Sequence, residues 1–358
     1  MNESLAIKLS HKEYLAAEQD YAKSANVVNL IYISDSAPGI DRVRKGKGFR
    51  YILDNRQIKE KNEIERIRKL AIPPAWEKVW ICKLPNGHIQ ATGFDLRKRK
   101  QYRYHPLWNL LRNETKFHHL HEFGKSLPLL RAKLKEDMAQ KELSQDKVLA
   151  TVISLMEQTY IRIGNNSYEK MNGSYGLTTL KSKHVFINGN KMLFSFKGKK
   201  SIQHNISLKN KKLAKIVKQC KDIPGKELFQ YYDADGNHNS VDSGMVNEYI
   251  KNAAGQSFSA KDFRTWAGSL HALNILCSLE ETEAEAEKKK NIILMLDEVS
   301  RKLGNTRAVC RKYYVHPGII RLYEENKLTD YLKEAGKQKN EEERLTSLEV
   351  ALMDILKK

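Results

Sequence analysis

The sequence predicts an α+β protein with a small strand-rich N-terminal domain and a larger, mainly helical domain that contains a few β-hairpins. Residues 27–54 hold short apolar runs alternating with Pro, Gly and Asp, a pattern typical of strands and turns. Residues 78–94 predict a hairpin around Asn86-Gly87. Further along the chain the apolar residues recur at helical spacing instead. The two expected domains are residues 1–107 and 108–358.

The first strong helix of the larger domain is predicted in the segment DKVLATVISLMEQTYIRIG. Gly164 and Asn165 follow as a stop signal, so we expect the helix to end there. The prediction depends on residues that recur at helical spacing, namely Val148, Val152, Leu155, Thr159 and Ile163.

Two hairpins interrupt the helices at residues 183–207. The first is KHVFINGNKMLFSF, and the second has KGKK at its tip and returns through SIQHNIS. Helices then resume, with Ser243 and Ser259 as expected N-caps and Gly304 as a C-terminal stop. The predicted helices are residues 243–254, 260–277 and 285–303, followed by a last amphipathic helix with Leu345, Leu348, Leu352 and Leu356 on one face.

The charge of the chain points to a polyanionic partner. The 63 Lys and Arg residues outnumber the 43 acidic ones, giving a formal net charge of +20. Nucleic acid is the first expectation, because each phosphate that is neutralised releases counterions. An anionic membrane surface and a merely solvated basic surface are the alternatives.

The chain shows none of the patterns of a membrane-spanning or secreted protein. No run approaches ~18 apolar residues, and the N-terminal residues contain no apolar signal segment. Four scattered cysteines without C-x-x-C spacing argue against zinc and for a reducing compartment. We expect a cytoplasmic, nucleoid-associated protein. The cysteines are Cys82, Cys220, Cys277 and Cys310.

The candidate catalytic residues are ambiguous one at a time. Arg162 could be a surface arginine beside a helix end, Lys199 a solvated turn lysine, and Tyr314 an ordinary half-buried aromatic. Arg264 is less expected near the start of a helix, whose N-terminus is already positive, unless an anion binds nearby.

Taken together, Arg162, Lys199, Arg264, Asn305 and Tyr314 form an ordered series, with Asn305 nine positions before Tyr314. This series resembles the catalytic set of the type IB DNA topoisomerases of bacteria and poxviruses. The segments PGIDRVRKGKGFRY, LAIPPAWEKVWIC, GHIQATGFDLRKRKQYRYHPLW and YGLTTLKSKHV are also similar to the bacterial type. The resemblance extends over residues 30–320, approximately.

The resemblance implies a reaction. Tyr314 would attack a phosphodiester, two guanidiniums would hold its non-bridging oxygens, and Asn305 would add a neutral donor. Lys199, assisted by Arg162, would protonate the leaving 5′ oxygen. The resulting 3′-phosphotyrosyl bond would let the cut strand swivel and reseal without ATP. No cofactor or metal is expected.

The same resemblance implies double-stranded DNA as the substrate. The RKRKQYRY run interleaves cations for phosphates with Gln101, which can pair with a base edge. Two lobes joined near residue 107 would close around the duplex as a monomeric clamp. The expected DNA contacts are Arg99, Gln101, Tyr102, Tyr104, Tyr168 and Lys261.

Three positions depart from the family pattern. Lys98 stands where Gly is usual, Arg307 where Pro is usual, and Tyr313 where a small residue usually precedes the nucleophile.

Two other functions stay open. A tyrosine recombinase shares the chemistry, but usually has His at the position of Lys261. A non-catalytic DNA-binding protein is the second alternative.

Overall fold

The computed structural model describes residues 9–10, 13–14, 20–280 and 282–357. The chain divides into two compact units, Met1–His119 and Leu120–Lys358. The α+β class that the sequence predicts is confirmed, with the larger sheet in the first unit and most helices in the second. The predicted domain boundary at residue 107 lies close to the start of the helix Pro106–Asp137, within which the division at His119 falls.

The first unit is built on a six-stranded antiparallel sheet in the order β3-β2-β1-β4-β5-β6, so β6 is an edge strand. The predicted hairpin around Asn86-Gly87 is confirmed as β4–β5. The elements are α1 (Tyr21–Val27), β1 (Ile40–Lys45), β2 (Gly48–Leu53), β3 (Arg56–Gln57), α2 (Lys61–Lys69), β4 (Glu77–Ile81), β5 (Ile89–Phe94) and β6 (Lys100–Tyr104).

Two apolar clusters fix this unit. Ile67 of α2 packs with Ile40, Ile81 and Ala91 of the sheet, all of them buried. A second cluster joins Ala25 and Leu30 to Trp108 and Leu111 of the helix that follows β6. Neither α1 nor α2 was predicted from the sequence. The helix α1 begins at Asp20, whose carboxylate accepts hydrogen bonds from the amides of Ala22 and Lys23.

The second unit is mainly helical and carries a three-stranded sheet in the order β7-β8-β9 and a two-stranded one, β10–β11. The helices, α3 being the one that contains the division, are α3 (Pro106–Asp137), α4 (Gln145–Thr159), α5 (Asn166–Asn172), α6 (Lys211–Asp222), α7 (Ser243–Ala254), α8 (Ala260–Cys277), α9 (Glu285–Leu303), α10 (Arg307–Tyr313), α11 (Pro317–Glu324), α12 (Thr329–Lys337) and α13 (Glu341–Leu356). The strands are β7 (Val185–Asn188), β8 (Lys191–Lys197), β9 (Gln203–Lys209), β10 (Gln230–Tyr232) and β11 (His238–Ser240).

Both predicted hairpins are confirmed. The strands β7 and β8 meet at Gly189-Asn190, and β8 pairs with β9 from Lys191↔Lys209 to Lys197↔Gln203. The tip of the second hairpin is therefore residues 198–202. The three helices predicted at residues 243–303 have the expected bounds, and the leucines of the last helix face the core at Leu348 and Leu352.

Two predicted helix boundaries are wrong. The helix α4 ends at Thr159 rather than at Gly164, because Tyr160 adopts the left-handed conformation (φ 58°, ψ 15°) and caps it. The N-cap of α7 is Asp242 rather than Ser243, since the carboxylate of Asp242 accepts from the Met245 amide at 2.9 Å. Ser259 is confirmed as the N-cap of α8, where it forms a capping box with Asp262.

Within the part of the chain that the structure describes, no helix is both long enough and apolar enough to span a bilayer.

Candidate active site

Arg162 lies in the extended segment that follows α4. The backbone around it is fixed by two hydrogen bonds, from the Leu177 amide to the Arg162 carbonyl (2.9 Å) and from the Thr178 amide to the Ile163 carbonyl (2.7 Å). Gly176 packs so closely that a Cβ there would lie 2.5 Å from the Arg162 carbonyl oxygen. Arg162 is thus held by a tight backbone pairing rather than standing at a helix end.

Arg264 lies in the second turn of α8 and is buried, with 6% of its surface exposed. Its Nη1 donates to the carbonyl of Tyr160 at 2.6 Å, and its Nη2 donates to the carbonyl of Leu303 at 2.7 Å. Tyr160 therefore both ends α4 with its left-handed backbone and binds Arg264 through its carbonyl. The Nε of Arg264 is buried and has no hydrogen-bond partner among the described residues.

Asn305 lies just after the end of α9 and contacts Arg162. The Nη2 of Arg162 donates to the carbonyl of Gly304 at 2.9 Å and to the Oδ1 of Asn305 at 2.8 Å. Gly304 ends α9 in the left-handed conformation (φ 59°), as the sequence predicts. The side-chain Nδ2 of Asn305 donates to the carbonyl of Leu303 at 3.3 Å.

Tyr314 caps the C-terminus of α10, where its amide donates to the Cys310 carbonyl at 2.9 Å. Its backbone lies against Gly268 of α8, on which a Cβ would come within 2.6 Å of the Tyr314 carbonyl oxygen. Ser269 donates to that carbonyl at 3.2 Å. The guanidinium carbon of Arg264 lies 5.3 Å from the centre of the Tyr314 ring. Tyr314 is thus half-buried beside the arginine pair, whereas Tyr313 is exposed.

Lys199 lies at the tip of the β8–β9 hairpin, directly after Gly198, and its side chain is exposed. It nevertheless lines the same small cleft as Arg162, together with His204 of β9 and Lys302 of α9. The structure therefore brings Lys199 to the mouth of a cleft that has Arg162 on its wall.

Burial and mutual repulsion govern the electrostatics of the cluster. Burial, with the neighbouring Arg264 charge, lowers the pKa of Arg162 to about 10. Burial lowers the pKa of His204, and the charges of Arg162 and Arg264 lower it further. Burial raises the pKa of the Cys310 thiol to about 11. Two guanidiniums held this close favour an anion between them, because an anion relieves their repulsion.

Several site residues were not singled out from the sequence. His204 and Lys302 line the cleft, and Tyr160 binds Arg264 through its carbonyl while Lys302 lies 5.5 Å over its ring. The position of His204 on the strand returning from Lys199 could have identified it. No sequence signal marks Tyr160, since a left-handed tyrosine is uncommon.

The RKRKQYRY run forms the edge strand β6 and the turn before it. Arg99 and Gln101 both bind the carboxylate of Asp95, at 2.8 Å and 3.1 Å. Tyr102 and Tyr104 are exposed and stacked, with ring centres 5.8 Å apart and planes within 8°. Because side chains alternate along a strand, these tyrosines share one face of β6 and Gln101 lies on the other. The DNA contacts predicted on β6 therefore lie on both faces of this edge strand rather than on one.

The two remaining predicted DNA contacts are both exposed. Tyr168 lies on α5 with 51% of its surface exposed, and Lys261 lies in the first turn of α8, one turn before Arg264. Lys261 is thus at the N-terminal end of α8, and a helix N-terminus is a favourable place for an anion.

Two departures from the family pattern have a structural account. Lys98 has a left-handed backbone (φ 58°), which explains why Gly is usual there, and its amine binds Glu77. Arg307 is the first residue of α10, where Pro is also favoured, and it pairs with Asp297 at 2.7 Å. Tyr313 lies beside Lys312, whose Nζ is 5.3 Å from the ring centre.

The cluster is suited to covalent phosphoryl transfer, because it combines paired guanidinium donors with a phenol beside them and an exposed lysine. No group of three or more His, Cys, Asp or Glu side chains that could hold a metal occurs among the described residues.

Comparisons with known proteins agree with this chemistry. The profile of the family described as "Eukaryotic DNA topoisomerase I, catalytic core" matches residues 98–344. That of "Bacterial DNA topoisomerase IB, N-terminal domain" matches residues 48–95. The chain is 35% identical to the DNA topoisomerase 1B of Acanthamoeba polyphaga mimivirus over 298 residues, which are 80% of this chain and 88% of that protein.

Poxvirus proteins are more distant relatives. The DNA topoisomerase I of Monkeypox virus and the DNA topoisomerase 1B of Vaccinia virus (strain Copenhagen) are each 22% identical over 241 residues, 67% of this chain and 74% of theirs. These matches identify an enzyme that acts on DNA topology, an isomerase. The chain belongs to the type IB DNA topoisomerase family. These matches favour that family over the recombinase and the non-catalytic protein considered above.

Proposed function

We propose that this chain relaxes supercoiled double-stranded DNA by cutting one strand with Tyr314, letting it swivel and resealing it. The observation that carries the proposal is the cluster formed by Arg162, Arg264, Asn305 and Tyr314, four residues from four separate segments of the second unit. A binding protein would gain nothing from a half-buried tyrosine against two guanidiniums.

In the cleavage step the Tyr314 hydroxyl oxygen attacks the phosphorus of the scissile phosphodiester. A bond forms between this oxygen and phosphorus, the bond to the 5′ oxygen breaks, and the strand stays attached as a 3′-phosphotyrosyl ester. Negative charge grows on the two non-bridging oxygens. Arg162 and Arg264 donate to them, and donors held ready in this way are worth ~10²–10³ in rate each.

Arg264 keeps donors for this role. Its Nη1 and Nη2 each donate to one carbonyl, those of Tyr160 and Leu303, which leaves the second hydrogen of each Nη and the buried Nε–H as donors for an oxygen. The Nη2 of Arg162 donates to the Gly304 carbonyl and to Asn305, so its Nη1 and Nε can bind a phosphate.

Lys199 acts as the general acid. The leaving 5′ oxygen would carry a full negative charge unless a proton reaches it as the bond breaks, and the ammonium of Lys199 supplies that proton. Its exposed position on a hairpin tip suits this role, because the tip can approach a strand lying in the cleft. Religation reverses both steps, and no ATP is needed because the phosphotyrosyl ester keeps the energy of the broken bond.

DNA binding is assigned to both units. Arg99, Gln101, Tyr102 and Tyr104 contact the duplex from the edge strand β6, with Gln101 reading a base edge. Tyr168 and Lys261 contact it from the second unit. The protein works as a monomer that clamps the duplex and lies on the nucleoid in the cytoplasm. The excess of basic residues supports this arrangement.

A relaxation assay tests the proposal. Negatively supercoiled plasmid is incubated with the protein in EDTA and without ATP, and the topoisomers are separated on a gel. We expect a ladder of relaxed forms, and a covalent protein–DNA adduct when the reaction is stopped with detergent. Binding without relaxation, or exchange of strands between defined sites, would contradict the proposal.

A further inference from the structure

His204 lies between the two segments that carry Lys199 and Asn305. It is the second residue of β9, and its ring stacks on Phe196 of the neighbouring strand β8, with ring centres 5.2 Å apart and planes at 23°. Phe196 is buried in the core of the second unit. The imidazole is therefore held flat against the hairpin, five positions after Lys199.

One edge of the imidazole meets the hairpin tip. A Cβ built on Gly198 would lie 2.5 Å from the Cδ2 and 2.6 Å from the Nε2 of His204. Gly198 has φ −93°, which any residue adopts, so it is the ring rather than the backbone that requires glycine here. Gly198 immediately precedes Lys199, and the tip is closed by the Gly198 amide on the Ile202 carbonyl at 2.8 Å.

The same imidazole meets the end of α9. A Cβ on Gly304 would lie 2.7 Å from the Cε1 of His204 and 3.6 Å from the Nη1 of Arg162. The Gly304 carbonyl accepts from Arg162, and Asn305 follows. The ring thus touches both the backbone before Lys199 and the backbone before Asn305.

The charge state of His204 agrees with this placement. Burial and the charges of Arg162 and Arg264 lower the pKa of its imidazole. A neutral ring can pack between two backbone segments without adding a third cation to the arginine pair.

We infer that His204 is a positioning residue, which docks the Lys199 hairpin onto the turn that carries Asn305 and so aims Lys199 at the leaving oxygen. The inference rests on the general-acid role proposed for Lys199. It gives His204 no contact with the DNA. Loss of the ring would let the hairpin tip move away from the cleft while Arg162, Arg264 and Tyr314 keep their own supports on α8, α9 and α10.

The test compares two oligonucleotide duplexes, one normal and one with a 5′-bridging sulfur at the scissile bond. A thiolate leaves without a proton, so its cleavage does not need the acid. We expect His204→Ala to slow single-turnover cleavage of the normal duplex by at least about tenfold, a part of the ~10²–10⁴ that a general acid contributes. Cleavage of the sulfur duplex should change less than threefold, approximately, since the arginine pair is left in place.

The control is His238→Ala, at an exposed histidine on the β10–β11 hairpin, which should leave both rates unchanged. Equal slowing of both duplexes by His204→Ala would overturn the inference, because a general loss of structure affects both substrates. Lys199→Ala is measured alongside. If it also slows both equally, the acid role of Lys199 fails while relaxation by Tyr314 stands.

A second measurement tests the contact itself. Gly198→Ala should impair cleavage in the wild-type chain, because its methyl group meets the imidazole, and should do little more in a His204→Ala background, where the ring is gone. Additive effects of the two changes would overturn the docking contact even if either variant alone proved hard to fold.

Discussion

The Nη2 of Arg162 donates a 2.8 Å hydrogen bond to the Oδ1 of Asn305, 143 residues further along the chain. This bond makes Asn305 a support for Arg162 as well as a candidate phosphate donor. Variants at residue 305 distinguish the two roles.

Replacing Asn305 with Ala should slow cleavage by ~10²–10³, the value of one transition-state donor, with DNA affinity nearly unchanged. Asn305→Asp should be slower still, because a carboxylate would pair with Arg162 and repel the phosphate. Single-turnover cleavage rates measure both effects. An Asn305→Asp variant as fast as the Ala variant would contradict the support role.

Tyr314→Phe should bind DNA normally but neither relax plasmid nor form the covalent adduct, because only the nucleophilic oxygen is lost. The matched variant is Tyr313→Phe, which changes the adjacent exposed tyrosine and should stay fully active. Labelled DNA that still attaches to the Tyr314→Phe protein would show that another residue is the nucleophile.

Gly268→Ala should displace Tyr314, since the new methyl group would lie 2.6 Å from the Tyr314 carbonyl oxygen and 2.8 Å from its Cβ. We expect a loss of ~1–3 kcal/mol in the free energy of unfolding, as for other overpacked sites, and slower cleavage. The control is Gly336→Ala in α12, where a Cβ meets no atom within 4 Å. That change should stabilise the protein by ~0.5–1 kcal/mol, measured by urea unfolding. Equal stability of the two variants would contradict the predicted clash.

Removing the N-terminal DNA contacts should make binding less salt-dependent. A full clamp with ~8 phosphate contacts predicts a slope of about −7 in log K against log salt. Deleting residues 1–107 is a poor test, because Trp108 and Leu111 pack in the first unit and would lose their partners. Side-chain replacements on β6 leave that cluster intact.

The sharper experiment changes Arg99 and Gln101 separately. Arg99→Ala should make the slope shallower by ~0.9, the value of one phosphate contact. Gln101→Ala should leave the slope unchanged and relax the preference among cleavage sites, because an amide reads bases and carries no charge. Fluorescence anisotropy over a salt series and mapping of cleavage sites measure the two effects. An identical slope and site pattern in both variants would show that β6 does not contact DNA.

The local structure around the site was largely predictable. Glycines, hairpin turns and apolar spacing are local signals, so the Lys199 hairpin and the stop of α9 at Gly304 follow from short segments. The end of α4 was not predictable in the same way. Tyr160 takes a left-handed backbone that its own residue type disfavours, because Arg264, 104 residues away, binds the carbonyl that this turn presents.

The sequence by itself determined the α+β class, the basic charge and the ordered series of Arg162, Lys199, Arg264, Asn305 and Tyr314, since residue types and intervals are properties of the chain. Only the tertiary structure decided that Arg162 donates to Asn305, that the Nε of Arg264 is buried without a partner among the described residues and that His204 packs between two turns. These relationships depend on atoms brought together from distant segments, and packing of the whole unit, rather than any local pattern, sets their distances.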